Sequence, residues 1–220
     1  MSIMEKHFRS SMIFLSRPVS IILLILYSIQ VVVMVSLIAL YLDQRETITE
    51  QAKRIEELED KLKILEIIEE YQIGFNDDEL TKLAGVIYDE SIKFGMDPLL
   101  IMAVIVTESS FKKSQQSHAG AQGLMQIRPF VARSVAEKWG IDWEESRSLW
   151  NPDLNVSIGS AYLFELVLKF KDVKKAIIAY NLGETVTREY YRFGATPSSK
   201  YYDKVKANYL KLRSRFEEKS

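Results

Sequence analysis

The chain has 220 residues, enough for one or two domains, and its 47% apolar composition can fill a real core. It has no cysteine, which excludes disulfides, thiol catalysis and cysteine-ligated metal, and its two histidines, His7 and His118, are too far apart in sequence to suggest a metal site. A net charge of -1 names no partner by bulk electrostatics, and no basic, aromatic-interleaved patch marks a nucleic-acid binder.

In chain order, the first expected element is a membrane span. Val19 to Leu42 carries no formal charge, and as a helix its 24 residues would reach about 36 Å, more than a hydrocarbon core of about 30 Å. A cleaved signal peptide would have an apolar stretch of only about 7 to 15 residues, and no small-x-small site follows Ala39. The segment therefore reads as an uncleaved anchor rather than a signal peptide or a core helix. Lys6, Arg9 and Arg17 precede it, while Arg45 is the sole basic residue just after it, so the N-terminus is expected in the cytoplasm and the rest of the chain outside. This gives a cytoplasmic tail over 1–18, a single span of the cytoplasmic membrane over 19–42, and everything beyond on the periplasmic or extracellular side.

From 43 to 73 the chain is highly charged and free of Gly and Pro, a helical stalk. Ile48, Ile55 and Leu62 recur every seven residues, with Leu58 and Leu65 three positions later and Gln51 at the remaining such position. A short coiled coil joining two copies in a homodimer and a lone stalk leaning its apolar edge on the following domain both fit.

Residues 74–220 have a different texture. Gly74 to Asp78 breaks the helix, and Asn76 can cap a new one that runs to Phe94 and stops at Gly95. Asp97-Pro98 supplies an N-cap and first-turn proline for the next helix, Pro98 to Glu108, whose PLLIMAVIV stretch is apolar all round and so buried. Further helices are expected over Pro129 to Trp139, Asp153 to Phe170, Val173 to Tyr180, Glu184 to Phe193 and Ser199 to about Phe216. No alternating strand is evident, so the domain reads as all-α.

Glu108 draws attention because a buried helix ends on it. Burial disfavours a charged carboxylate and raises its pKa, the condition a general acid needs near neutral pH. No Asp or Glu follows until Glu137, so a second carboxylate is not offered locally, although one could come from a distant segment. Two-carboxylate glycosidases need that partner about 5 to 9.5 Å away. A solvated glutamate at a helix end is the bland alternative.

Glu108-Ser109, Phe111, Ser117, Gly120-Ala121, Gly123-Leu124-Met125-Gln126-Ile127, Leu149-Trp150-Asn151-Pro152, Asn155, Gly159, Tyr162-Leu163 and Ala179-Tyr180-Asn181, with an end near Pro197 and Tyr201, form an ordered set. This set resembles the lytic transglycosylases of the soluble-transglycosylase, goose-lysozyme-like kind, over about residues 76–210. The resemblance implies a lysozyme-like helical fold and non-hydrolytic cleavage of peptidoglycan between N-acetylmuramic acid and N-acetylglucosamine. In such enzymes the residue at the Glu108 position acts as acid and then as base, producing a 1,6-anhydro sugar without a cofactor. It also implies that Ser117 contacts substrate near the acetamido group, that Met125 and Gln126 belong to the cleft, and that the Tyr180 hydroxyl approaches the acid. Asn181 and Asn155 join them as candidate substrate contacts. Several of these have plainer readings: Ser117 as a loop-capping hydroxyl, Met125 as core, Asn181 as support for the tyrosine's loop, and Asn155 as a structural hydrogen-bonder.

Two residues depart from the family pattern. Arg128 stands where an apolar residue is common, and could contact an anionic peptide stem, while Glu184 follows Gly183 where a small residue would be unsurprising. A hydrolytic muramidase on the same fold is one rival activity. A non-catalytic glycan-binding scaffold assembled through the stalk is another.

Overall fold

In the computed structural model, residues 16–71, 74–143 and 149–218 are described. Lys6, Arg9 and most of the expected tail lie outside them. Eight helices account for the described regular structure: α1 (Arg17–Glu69), α2 (Asp77–Phe94), α3 (Pro98–Ser109), α4 (Pro129–Trp139), α5 (Pro152–Phe170), α6 (Val173–Leu182), α7 (Glu184–Arg192) and α8 (Lys200–Glu218). No strand occurs among the described residues. Two isolated bridges, Gln116 with Gln122 and Gln122 with Ile127, are the nearest approach to one.

The helix boundaries follow local chemistry. Asn76 accepts the Glu79 N–H while the Glu79 side chain accepts the Asn76 N–H, a reciprocal capping box that starts α2. Gly95 closes α2 in the left-handed conformation, and Gly140 closes α4 in the same way. Asp97 accepts the Leu99 N–H at 2.8 Å to start α3, with Pro98 in its first turn.

By packing, the chain divides after Glu56 into two units. The first is helical from Arg17 onward, and one window within α1 has a mean hydropathy of 2.8, enough by length and composition to cross a membrane. Its apolar side chains are exposed throughout. Ile48 and Ile55, in the heptad positions, are exposed as well.

The second unit begins inside the segment read as stalk. Ile64, Ile67 and Ile68 of α1 are buried in its core, and Leu65 packs against it. These three isoleucines stand outside the heptad positions, where Leu62 stays exposed, so the end of α1 belongs to the domain by packing through a different face of the helix. At the centre runs α3, where Ile101, Met102, Ala103, Val104 and Ile105 have no exposed surface. Each large member of that row contributes about 2 kcal/mol by its removal from water.

α8 lies antiparallel to α3 and is tied along its length. Tyr201 meets Glu108, the Asn208 amide donates to Thr107 Oγ1 at 2.9 Å, and the Tyr209 hydroxyl donates to Asp97 at 2.6 Å. α2 and α5 pack together, and α6 lies against both α5 and α8. Phe94, Trp139 and Phe164 fill the space between α2, α4 and α5 with ring centroids 5.0 to 5.7 Å apart.

Candidate active site

The segment between α3 and α4 is a loop that holds itself in shape. Ser117 N–H donates to the Ala121 carbonyl at 2.9 Å, and Ala121 N–H donates to Ser117 Oγ at 3.0 Å. Gln122 and Ile127 exchange backbone hydrogen bonds at 3.0 Å each way, and the Gln126 amide donates to the carbonyls of Gln115 and Gly123, both at 2.8 Å.

Asn155, on α5, pins this loop to the helices. Its Oδ1 accepts the Met125 N–H at 2.7 Å, and its Nδ2 donates to the carbonyls of Gln122 at 2.8 Å and Leu149 at 3.0 Å. Gly123 lies so close to this amide that an added Cβ would stand 2.3 Å from Asn155 Nδ2, and its φ of 78° disfavours a side chain as well. Gly159 leaves room for the Met125 sulfur, which an added Cβ would meet at 2.4 Å.

Glu108 projects from the C-terminal turn of α3 into a cavity of about 500 Å³, whose wall also includes Ser117, Gln126, Arg128, Tyr162, Tyr180 and Asn181. Burial pushes its carboxyl above the ordinary glutamate value, and a hydrogen bond from Tyr201 pulls the other way without cancelling the rise. That bond, from the Tyr201 hydroxyl to Glu108 Oε1, measures 2.5 Å. Burial and the neighbouring Glu108 drive the Tyr201 phenol far above its usual pKa, so it stays a donor.

The cavity places the expected residues unevenly. Glu108, Ser117, Gln126, Tyr180 and Asn181 share one wall. Asn155 and Met125 do not line it, and both are 0% exposed. Asn155 spends its amide on three backbone groups, and the Met125 side chain is core, so neither side chain faces the cavity. Ser117 carries out its loop-capping bond while facing the cavity.

Tyr180 differs in a more instructive way. Its hydroxyl donates to the Met125 carbonyl at 2.8 Å rather than to Glu108. Burial foremost, then the charges of Glu108 and Tyr162, hold its pKa well up. The hydroxyl that reaches the acid belongs to Tyr201, which in the sequence marks only the end of the resemblance. Pro197 and Tyr201 are the available signal, but the pairing of Tyr201 with Glu108 depends on α8 docking across 93 residues.

A second carboxylate does reach the cavity, from Glu184. Burial acts upward on it, but Lys169 at 2.6 Å and Arg188 at 2.9 Å outweigh burial and hold it below the usual glutamate value. Each of its oxygens is engaged: Oε2 by Lys169 and Oε1 by Arg188. Much of the remaining wall is apolar, with Arg128 as its cation. Phe130, Leu182 and Val186 are exposed at the mouth, and Arg128, at the start of α4, makes no side-chain capping bond. Among the described residues no group of His, Cys, Asp and Glu is arranged to hold a metal ion.

An all-helical domain with a protonatable glutamate at the end of its central helix defines a lysozyme-like class of protein. Residues 86–201, more than half of the chain, match the transglycosylase SLT domain. The chain belongs to that family. It is 43% identical over 84 residues to the membrane-bound lytic murein transglycosylase C of Klebsiella pneumoniae, covering 37% of this chain and 23% of that protein. Against the protein of the same name from Sodalis glossinidius it is 42% identical over 87 residues, covering 37% and 24%. The chain thus matches about a quarter of the length of these relatives. The 70 kDa soluble lytic transglycosylase of Escherichia coli shares the fold, with a TM-score of 0.52 and 24% identity over 60% of this chain and 24% of that one.

Proposed function

We propose that this protein is a membrane-anchored peptidoglycan lytic transglycosylase, with Glu108 as its single acid and base. The observation that carries the reading is the half-buried Glu108 carboxyl, biased toward its protonated form, facing a saccharide-sized cavity and held from behind by Tyr201. Glu108 gives its proton to the glycosidic oxygen as the bond from muramic C1 to that oxygen breaks. The muramic 6-hydroxyl oxygen then bonds to C1 and returns a proton to the Glu108 carboxylate. One 1,6-anhydro ring and one free hydroxyl result, and no water is consumed.

The engagement of Glu184 favours this course over hydrolysis. A two-carboxylate glycosidase needs its second carboxylate available as base or nucleophile. Glu184 is already paired through both oxygens, which leaves stabilisation of the cationic centre to the substrate's own acetamido group. Ser117, with its hydroxyl hydrogen free to turn toward a ligand, is the residue suited to hold that group. Gln126 and Asn181 line the same wall and contact the sugars.

Anchoring rests on the apolar run of α1 and the charge bias around it, with the N-terminus cytoplasmic and the catalytic unit outside. Exposed Ile48, Ile55, Leu58 and Leu62 form one edge of the stalk, and this edge supports a parallel pairing of two copies. In that register Arg54 faces Glu59 of the second copy. A cysteine at position 55 of the full chain should then cross-link as a dimer in membranes, and a monomer band alone would sink the pairing.

Mass spectrometry of muropeptides released from purified peptidoglycan by the full chain in detergent tests the catalytic reading. Products about one water lighter than lysozyme fragments, absent with Glu108→Gln, are expected. Ordinary reducing ends would keep the glycosidase and overturn the mechanism. No release would move the weight to a glycan-binding scaffold.

A further inference from the structure

A second cavity, of about 700 Å³, lies on the other side of α7, and Thr185 lines both it and the Glu108 cleft. Its wall carries Lys169, Lys175, Arg188 and Arg192 against a single acid, Glu189. These cations do not stand alike. Lys169 and Arg188 are neutralised by Glu184, and Lys169 also pairs with Glu165. Lys175 and Arg192 make no ion pair with a described residue.

Aromatic rings hold part of this charge in place. The Lys175 ammonium lies 4.9 Å from the centroid of Tyr191, and the Arg188 guanidinium 5.0 Å from that of Phe170. Lys175 thus sits against a ring in a concave, partly apolar site, while Arg192 on the same wall is exposed and Glu189 is the one opposing charge there. Such a surface attracts anions over about a Debye length and is screened by salt.

The geometry points to a subsite for the carboxylates of peptidoglycan peptide stems, centred on Lys175 and Arg192, that engages a stem while its glycan occupies the Glu108 cleft. This rests on the catalytic reading proposed above, and it deepens that reading by assigning peptide-bearing glycan as the substrate class. Continuity at Thr185 is what couples the two cavities: a stem on the lactyl ether of a muramic residue can leave the cleft over α7 into the basic pocket. Guanidinium and ammonium groups together suit carboxylates, since arginine's planar fork matches a carboxylate in two hydrogen bonds. Phosphate in accessory wall polymers is the other anion with this chemistry.

The test uses the full chain in detergent, carrying Glu108→Gln so that the polymer survives, and measures co-sedimentation with three preparations. These are intact sacculi, sacculi stripped of phosphate polymers with hydrofluoric acid, and glycan freed of stems by an amidase. The double variant Lys175→Ala/Arg192→Ala, which stands outside the catalytic wall, should bind both stem-bearing preparations about tenfold more weakly. It should bind stem-free glycan as its parent does. Lys175→Glu should exaggerate the first effect. Equal weakening on all three preparations, or none, overturns the subsite. Weakening that vanishes once phosphate polymers are removed overturns the stem assignment in favour of phosphate. Independently, failure of the wild-type chain to cut intact, stem-bearing sacculi while the stem-dependent binding difference holds would count against the catalytic reading and leave the pocket standing.

Discussion

Behind Glu108 the named polar side chains have partners inside the protein: Tyr201 donates to the carboxylate, Tyr180 to the Met125 carbonyl, and Asn155 bridges three backbone groups. At the mouth of the same cleft Phe130 is 68% exposed, Leu182 and Val186 are also open to water, and Arg128 makes no ion pair with a described residue. The rear is a low-dielectric network whose hydrogen bonds are strong and costly to leave unmade. The mouth is solvated surface on which single contacts are weak. Chemistry and stability should therefore respond to substitutions at the rear, and affinity to those at the mouth.

The largest effect should come from Tyr201→Phe. Removing a donor aimed at the reacting carboxyl should lower kcat about a hundredfold. The hydrogen bond from Tyr201 lowers the Glu108 pKa, so its loss should raise that pKa further and move the alkaline limb of the pH–activity profile to higher pH. The sign follows from the role: Glu108 must be protonated to begin, so activity fades as pH rises through its pKa. A fall in rate with an unmoved limb would reduce Tyr201 to a packing residue.

Asn155→Ala should come next. It leaves the Met125 N–H and two carbonyls without their partner in a buried place, at a cost of about 3 kcal/mol, read by chemical denaturation. Loss of substrate binding with stability unchanged would instead restore Asn155 as a substrate contact. The smallest effect belongs to the mouth. Phe130→Ala should raise KM about threefold on peptidoglycan while kcat stays constant, the sign of a contact made equally before and during the reaction. A matching fall in kcat would break the distinction between rear and mouth.

Much of this architecture was legible because it is local. Asn76 and Glu79, Asp97-Pro98 and the stops at Gly95 and Gly140 announce helix ends through neighbours within four residues, and the structure places those ends where the caps do. The unbroken apolar face of α3 marked the central helix, and with it the burial of Glu108. What escaped depends on tertiary neighbours. An asparagine on a helix face and a methionine after a leucine look alike whether they meet a ligand or a backbone. Only the closeness of Gly123 and Gly159 reveals Asn155 as a clamp and Met125 as core. The start of the domain escaped for a similar reason. Ile64, Ile67 and Ile68 lie at i, i+3 and i+4 on a face apart from the heptad positions, but what that face meets is set by the helices of the domain that pack on it.

The antiparallel seating of α8 on α3 also sets an order of events. Glu108 and its phenolic partner are separated by 93 residues, so a chain emerging N-terminus first carries the acid long before it carries Tyr201, Asn208 and Tyr209. Until α8 docks, one flank of α3 stays open to water, and the desolvation that raises the Glu108 pKa is incomplete. Before that closure, Glu108 lies nearer the ordinary behaviour of an exposed glutamate. Under the proposed function, activity on peptidoglycan would then arrive only with the long-range closure of α8 that completes the site.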